Sequence, residues 1–134
     1  MIALDTNVLV RYIVRDDATQ ASKAAKLIES RCTAESPGVV DVVVLCELVW
    51  VLETAYGYGR SVVAQVVRQL LGVAELAVTS SDQAWAALRA YESGRGDFAN
   101  HLIALRNHAA GCKTTFTFDK QAAVSAPGMF TLIQ

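Results

Sequence analysis

One acidic residue interrupts a long apolar run in the middle of the chain. Glu47 follows Val42–Cys46 and precedes Leu48–Leu52. The stretch from residue 42 to Tyr56 is too long for an ordinary strand, so we interpret it as a buried helix that ends at Gly57. Burial of an unpaired carboxylate is strongly unfavourable. The sequence therefore predicts that a cation, a hydrogen-bond network or a raised pKa compensates Glu47.

Two further acids follow short apolar segments. Asp5 comes directly after Ile2–Leu4, and Asp119 comes directly after Thr115–Phe118. Both segments read as buried strands, which places the two acids at strand carboxyl ends. Ligands of open parallel α/β sheets bind beyond that edge, so we expect the acids to converge there.

Strands and helices alternate along the whole chain. We predict strands at 2–4, 39–40, 76–78, 114–118 and 131–133, and helices starting after residues 6–7 and at 18–30, 42–56, 61–71, 79–91 and 97–110. Thr6 or Asn7 is the expected cap of the first helix, and Thr79, Ser80 and Ser81 are candidate caps of the helix after the third strand. This alternation indicates a parallel sheet covered by helices on both faces. With no repeat or linker, we expect a single domain spanning residues 1–134.

Composition excludes several classes of protein. No apolar stretch approaches the roughly 18–20 residues that span a bilayer, and no secretory signal is evident, so we expect a cytoplasmic protein. Cys32, Cys46 and Cys112 are widely spaced and form no CxxC motif, which argues against a disulfide framework or a zinc site and favours reduced packing thiols. The formal net charge of −1 shows no bulk attraction to nucleic acid.

Another acid lies at a helix start. Asp97 is placed to cap the helix that follows, and Asn100, three residues later, lies on nearly the same face. Carboxylates gathered at one point repel each other unless cations are present, and hard oxygen ligands favour Mg²⁺ or Mn²⁺. Ions held in this way activate water for attack on a phosphodiester, which is nuclease chemistry.

Five segments together resemble a known family. The segments are Met1–Tyr12, Val44–Leu52, Asp97–Ala104, Gly111–Cys112 and Thr117–Lys120. In their order and spacing they are similar to a PIN domain of the VapC toxin type, over nearly the whole chain. The resemblance implies a three-layer α/β/α sandwich with a short parallel central sheet. It also implies a Mg²⁺- or Mn²⁺-dependent endoribonuclease that acts on structured RNA, serves as a toxin, is held in check by a small antitoxin protein and forms a homodimer.

The same resemblance assigns roles to individual residues. The implied catalytic residues are Asp5, Thr6, Glu47, Asp97 and Asp119. The implied metal ligands are Asp5, Glu47, Asp97, Asn100 and Asp119. Thr6 would orient Asp5 or a metal-bound water. Asn100 stands where the family has a second Asp, which removes a charge and weakens metal binding, so the alternative function is an impaired nuclease that binds RNA or the antitoxin.

Plainer interpretations stay open for these residues. Glu47 could form a buried salt bridge with Arg11 or Arg106. Asp97 could be a helix cap alone, and Asp5 and Asp119 could be ordinary turn acids.

The histidines and aromatic residues have plain interpretations too. His101 and His108 are seven residues apart on one helix, too far to share an ion, and read as exposed or packing side chains. Trp50 and Trp85 read as core or dimer-interface residues, and the loop 56–60 as a possible RNA or antitoxin contact.

A phosphotransfer enzyme is disfavoured, because Asn7 stands where a phosphatase of the dehalogenase type has its second acid.

Overall fold

The computed structural model describes residues 1–134 and contains seven helices and four short strands. The elements are α1 Thr6–Val14, α2 Ala18–Arg31, β1 Gly38–Val40, α3 Val42–Thr54, α4 Arg60–Gly72, β2 Leu76–Val78, α5 Ser81–Glu92, α6 Phe98–Ala109, β3 Thr115–Thr117, α7 Lys120–Ser125 and β4 Phe130–Leu132. Residues Met1–Ser81 form a first compact unit and residues Asp82–Gln134 a second. None of the helices combines the length and the apolar character that crossing a bilayer requires.

Parallel strand pairing organises the first unit. β1 pairs with β2 in a register that sets Val39 beside Ala77. The predicted strand at 2–4 is reduced to one parallel bridge between Ala3 and Val39. Two hydrogen bonds support the bridge, from the Leu4 amide to the Val39 carbonyl at 2.9 Å and from the Val39 amide to the Ile2 carbonyl at 2.8 Å. The segment is short because α1 begins immediately after residue 5.

Each of these paired segments leads directly into a helix. Asp5, and not Thr6 or Asn7, is the N-cap of α1, and its Oδ1 accepts a hydrogen bond from the Thr6 amide at 2.8 Å. Asp41 caps α3 by accepting from the Val43 amide at 2.9 Å. Because neighbouring parallel segments end at the same edge, α1 and α3 begin side by side.

Thr79 supports the beginning of α3 as well. Its amide donates to the Val40 carbonyl at 3.0 Å, and its Oγ1 accepts from the Val42 amide at 2.8 Å. Among the candidate caps Thr79, Ser80 and Ser81, Ser80 directly precedes α5, whereas Thr79 bonds to the start of α3 instead. Its hydroxyl satisfies a donor at the start of a helix 37 residues earlier in the chain.

The helix α3 is buried on one side only. Its buried side chains are Val42, Leu45, Leu48, Val49 and Leu52. Glu47 is exposed, and so are Val43 and Trp50, with 56% and 65% of their surfaces accessible. With 3.6 residues per turn, positions 43, 47 and 50 fall on one face, away from the buried residues. The prediction of a buried Glu47 is wrong, because apolar residues occupy both faces of this helix. For Trp50 the core alternative is wrong for the same reason, and a place in a dimer interface stays a prediction.

The second unit contains its own pair of strands. β3 and β4 are parallel, with Phe116 beside Thr131. The prediction of an α/β fold with short parallel strands is confirmed, and its strands form two hydrogen-bonded pairs, β1–β2 and β3–β4. The segment 115–118 is not a buried strand, because Phe116 and Phe118 are 67% and 77% exposed. The core of this unit includes Tyr91 and Phe98, whose rings pack edge to face with their centroids 5.9 Å apart.

Gly38 lies where three side chains leave no room for a larger residue. A Cβ at this position would stand 2.6 Å from Cys32 Sγ and 3.3 Å from Leu4 Cδ1. Cys32 is itself buried, so the sulfur cannot move into solvent. The thiol thus packs as predicted and explains why β1 begins with glycine. Cys112, in contrast, is exposed and does not pack.

We predict that Gly38→Ala lowers the free energy of unfolding by about 1–3 kcal/mol, the usual cost of overpacking a core. Urea unfolding measures this change. Adding Cys32→Ala should recover part of the loss, because it removes the sulfur that the new methyl group meets. Gly72→Ala is the control, since nothing lies within 4 Å of its Cβ position at the end of α4. Equal stability of Gly38→Ala and the unmodified protein would contradict the packing described.

Candidate active site

Thr6 connects the two acids that the first unit provides. Its side chain is buried, with 6% of the residue exposed, and its Oγ1 donates a hydrogen bond to Glu47 Oε1 at 3.3 Å. Its amide donates to Asp5 Oδ1 at 2.8 Å. One oxygen of each carboxylate is therefore held by the same residue, and Asp5 Oδ2 and Glu47 Oε2 are left without a hydrogen bond.

Glu47 has no cationic partner. The alternative interpretation, a buried salt bridge with Arg11 or Arg106, is wrong: Glu47 takes part in no salt bridge, and Arg11 pairs with Asp16 through Nη1 and Oδ1 at 2.8 Å. Because Glu47 is exposed, water solvates its charge and burial imposes no need for compensation. The carboxylate is consequently available to a ligand that approaches from solvent.

A polar network holds Arg11 at the far end of α1. Tyr56 donates its hydroxyl to Asp16 Oδ2 at 2.8 Å, and Arg11 Nε donates to Gln20 Oε1 at 2.6 Å. The Tyr56 hydroxyl and then the Arg11 guanidinium hold the pKa of Asp16 below its usual value. The same bond raises the pKa of Tyr56, since the hydroxyl donates to a carboxylate. Sequence patterns gave no sign of this network, although Arg11 and Asp16 are close along the chain.

Asp97 occupies a capping position without using its side chain to cap. Its backbone is extended, with φ −82° and ψ 142°, directly before α6, and its carboxylate makes no capping hydrogen bond. The N-cap acids of α1, α2, α3 and α7 each accept a backbone amide. The interpretation of Asp97 as a helix cap alone is therefore not supported by its hydrogen bonds. Its carboxylate is exposed at the start of α6, and Asn100 is half-buried in the first turn.

Asp119 does cap a helix. Its Oδ1 accepts from the Gln121 amide at 2.9 Å and the Ala122 amide at 3.3 Å, at the start of α7. This helix was not predicted, because its six residues are too few to show a periodic apolar face. Asp119 is exposed, and Oδ2 makes no hydrogen bond.

The predicted site residues divide between the two units. Asp5, Thr6 and Glu47 belong to the first, and Asp97, Asn100 and Asp119 to the second. No group of three or more His, Cys, Asp or Glu side chains is assembled in metal-binding geometry. Within the first unit the structure joins Asp5 and Glu47 through Thr6, and the convergence of all five ligands stays a prediction.

The two histidines have different environments, and neither fits a shared ion. His101 is buried, and its Nε2 bonds to the Arg95 carbonyl at 2.7 Å, whereas His108 is exposed. The interpretation of His101 as a packing residue is confirmed. Its hydrogen bond to the loop before Asp97 was not foreseen, since a single histidine carries no such signal in the sequence.

The protein is an α/β protein in which β1 and β3 each lead into a helix with an acidic N-cap, Asp41 for α3 and Asp119 for α7. Its exposed oxygen donors are of the kind that Mg²⁺ and Mn²⁺ prefer. The family model of the PIN domain matches residues 2–125, and the chain belongs to this family. PIN domains are generally metal-dependent nucleases, and many are toxins of toxin–antitoxin pairs. Searches of curated proteins and of solved structures found no significant match.

We predict that Tyr56→Phe raises the pKa of Asp16 toward its usual value, because the variant loses the hydroxyl that most favours the carboxylate. An NMR titration that follows the carboxyl carbon of Asp16 measures this pKa. A lowered pKa stabilises the fold above the pKa of the unfolded state, and that contribution is lost as pH falls through the folded value. The variant should therefore lose less stability on acidification. Tyr58→Phe is the control, and an unchanged Asp16 titration in Tyr56→Phe would contradict the network.

Proposed function

We propose that this protein is a Mg²⁺- or Mn²⁺-dependent endoribonuclease of the VapC type. In this proposal it is the toxin of a toxin–antitoxin pair, cleaves RNA in the cytoplasm, is inhibited by a small antitoxin protein and works as a homodimer, with residues 1–134 acting as one PIN-like domain. Membership of the PIN family supports nuclease chemistry. The choice of RNA, of the metal and of the partners rests on the resemblance of the five segments to VapC toxins.

One observation carries the proposal: Thr6 bonds to both Asp5 and Glu47 and leaves one oxygen of each carboxylate without a hydrogen bond. Two carboxylates that share a bridging residue, with no cation beside Glu47, suit a divalent ion better than a structural salt bridge. When bound, the ion would supply a Lewis acid for phosphodiester hydrolysis.

The proposed ligands from the second unit are Asp97, Asn100 and Asp119. Asp97 supports this role because its carboxylate is exposed and makes no capping bond. Asp119 uses Oδ1 to cap α7, which fixes the carboxyl group and leaves Oδ2 for a ligand. Carboxylates brought together in this way would repel one another, so a bound cation would also stabilise their arrangement.

Thr6 has a positioning role in this account. Its hydroxyl proton is directed to Glu47 Oε1, which orients the carboxyl group on the exposed face of α3. Its amide holds Asp5 at the start of α1. The residue thus acts on both acids from a buried position, where its own side chain has little freedom.

Asn100 supports a second candidate function. Its amide oxygen can coordinate a metal but contributes no negative charge where the family has an acid. The alternative is therefore a PIN-like module that binds RNA or the antitoxin and turns over slowly or not at all.

We predict that the protein cleaves structured RNA when Mg²⁺ or Mn²⁺ is added, and that Asp5→Asn or Glu47→Gln lowers kcat at least about 100-fold, the scale of losing a metal's transition-state stabilisation. Gel-resolved cleavage of labelled RNA measures the rate. Asn is as good an N-cap as Asp, so Asp5→Asn should leave the stability of α1 nearly unchanged.

Glu35→Gln is the control for this experiment, because it removes the same charge from an exposed loop residue. Circular dichroism and thermal unfolding show whether each variant is folded. Undiminished cleavage in excess chelator, or full activity of both acid variants, would reject the metal-dependent nuclease.

We predict that Asn100→Asp raises Mn²⁺ affinity about tenfold, equivalent to about 1.4 kcal/mol, because it adds a charged oxygen ligand. RNA cleavage should rise with it. Calorimetry and the cleavage assay measure the two effects. Gln69→Glu is the control, since it adds the same charge on an exposed position of α4. Strong cleavage by the unmodified protein with no gain in Asn100→Asp would dismiss the impaired-nuclease alternative.

A further inference from the structure

His101 is a buried polar residue whose hydrogen bond lies beside a proposed ligand. Only 4% of it is exposed, and its Nε2 bonds to the backbone carbonyl of Arg95 at 2.7 Å. A carbonyl oxygen only accepts, so Nε2 carries the donated proton. His101 therefore reaches back from the first turn of α6 to the loop that precedes Asp97.

That loop has a backbone that must be held by contacts from outside it. Gly94 and Gly96 both have positive φ, 89° and 71°, a conformation that glycine adopts freely and does not itself enforce. The Gly94 amide bonds to the Tyr91 carbonyl at 3.1 Å, which anchors the beginning of the loop on α5. At the other end, the bond from His101 to Arg95 lies two residues before Asp97.

Gly96 is enclosed by two side chains. A Cβ there would stand 2.5 Å from Ser125 Oγ and 3.1 Å from His101 Nε2. Ser125 is the last residue of α7, whose first turn is capped by Asp119. The loop before Asp97 is thus packed between α6 and the end of α7.

We propose that His101 is a positioning residue for the metal site: it holds the carbonyl of Arg95, fixes the loop at Gly96 against α7, and thereby sets the place of the Asp97 carboxylate. The inference rests on the proposed function, since it treats Asp97 as a ligand. It assigns to His101 a role that a purely apolar core residue cannot fulfil.

The surroundings of the ring make its donor hard to replace. A cavity of about 220 Å³ borders His101 and is lined mainly by small side chains of α5, α6 and the end of α7, namely Ala86, Ala90, Ala104, Ser125 and Ala126. The alanines have no donor to offer the Arg95 carbonyl, and the Ser125 hydroxyl donates to the Ala122 carbonyl at 3.1 Å. Loss of the imidazole would remove the side-chain donor that bonds to the Arg95 carbonyl.

Two variants separate hydrogen bonding from packing. His101→Gln places an amide N–H on a side chain of similar reach and can still donate to Arg95. His101→Leu keeps apolar volume and removes the donor. His108→Gln is the control, because it makes the same substitution at an exposed position of the same helix.

The experiment uses the full chain and three readouts: amide hydrogen exchange of residues 94–97, Mn²⁺ affinity by calorimetry, and kcat and KM for RNA cleavage. We expect His101→Leu to raise loop exchange and to weaken Mn²⁺ binding by about 3–10-fold, the effect of losing one hydrogen bond. The fall in cleavage should appear in kcat. His101→Gln should stay within about twofold of the unmodified protein.

Gly96→Ala perturbs the same loop and leaves His101 intact. It should also raise loop exchange, weaken Mn²⁺ binding and lower kcat, so the inference can be tested even if His101→Leu does not fold. Loop exchange and Mn²⁺ affinity that are unchanged in both variants would overturn the inference. So would equal losses in His101→Gln and His101→Leu, because they would indicate packing alone.

The test also separates this inference from the proposed function. If the unmodified protein neither binds Mn²⁺ nor cleaves RNA, the nuclease proposal fails, and with it the role assigned to His101, even where loop exchange confirms the Arg95 contact. If Asp97→Asn lowers cleavage while His101→Leu does not, the nuclease proposal stands and the positioning role is rejected.

Discussion

The parallel pairing of residues 2–4 with β1 is the constraint on which the first half of the site depends. Each of the two segments ends in an acid that caps the next helix, Asp5 for α1 and Asp41 for α3. Because the segments run in the same direction, the two helices begin at the same edge. Thr6 is then close enough to Glu47, 41 residues later, for a side-chain hydrogen bond.

The electrostatics of this edge differ from those of a structural ion pair. Glu47 is exposed and bonded to a hydroxyl, while Arg11, a candidate partner for it in the alternative interpretation, is bound to Asp16 at the other end of α1. Arg11 is thus bound in a network with Tyr56, and the Glu47 carboxylate is exposed to solvent. An accessible carboxylate of this kind is suited to ligand binding. A divalent metal ion is the ligand that agrees with membership of the PIN family.

The sequence predicted much of the fold because its apolar periodicity is strong. β2 was predicted at its observed bounds, and α2 and α4 to within a residue at each end. The exposure of Glu47 could not be predicted, since apolar residues on both faces of α3 hide which face is buried. The cap of α1 was misassigned, since Asp5 takes this position in place of Thr6 or Asn7. The bond between Thr79 and the start of α3 could not be predicted, because its partner is distant in sequence.

The candidate site was predictable in its residue types and less so in its geometry. Acids after apolar segments pointed to Asp5 and Asp119, and both do begin helices. The bond between His101 and Arg95 left no pattern in the sequence, because it depends on two left-handed glycines and on burial. Local signals specify which residues carry oxygen donors, and tertiary packing decides which of those donors are free.

In the proposed site, acids far apart in sequence bind one divalent ion or a pair of ions. A crystal grown with Mn²⁺ and measured at the manganese absorption edge would locate those ions. We expect anomalous peaks within direct bonding distance of Asp5 and Glu47 and of at least one of Asp97, Asn100 and Asp119. Peaks absent from Asp5 and Glu47, or confined to sites away from all five residues, would contradict it.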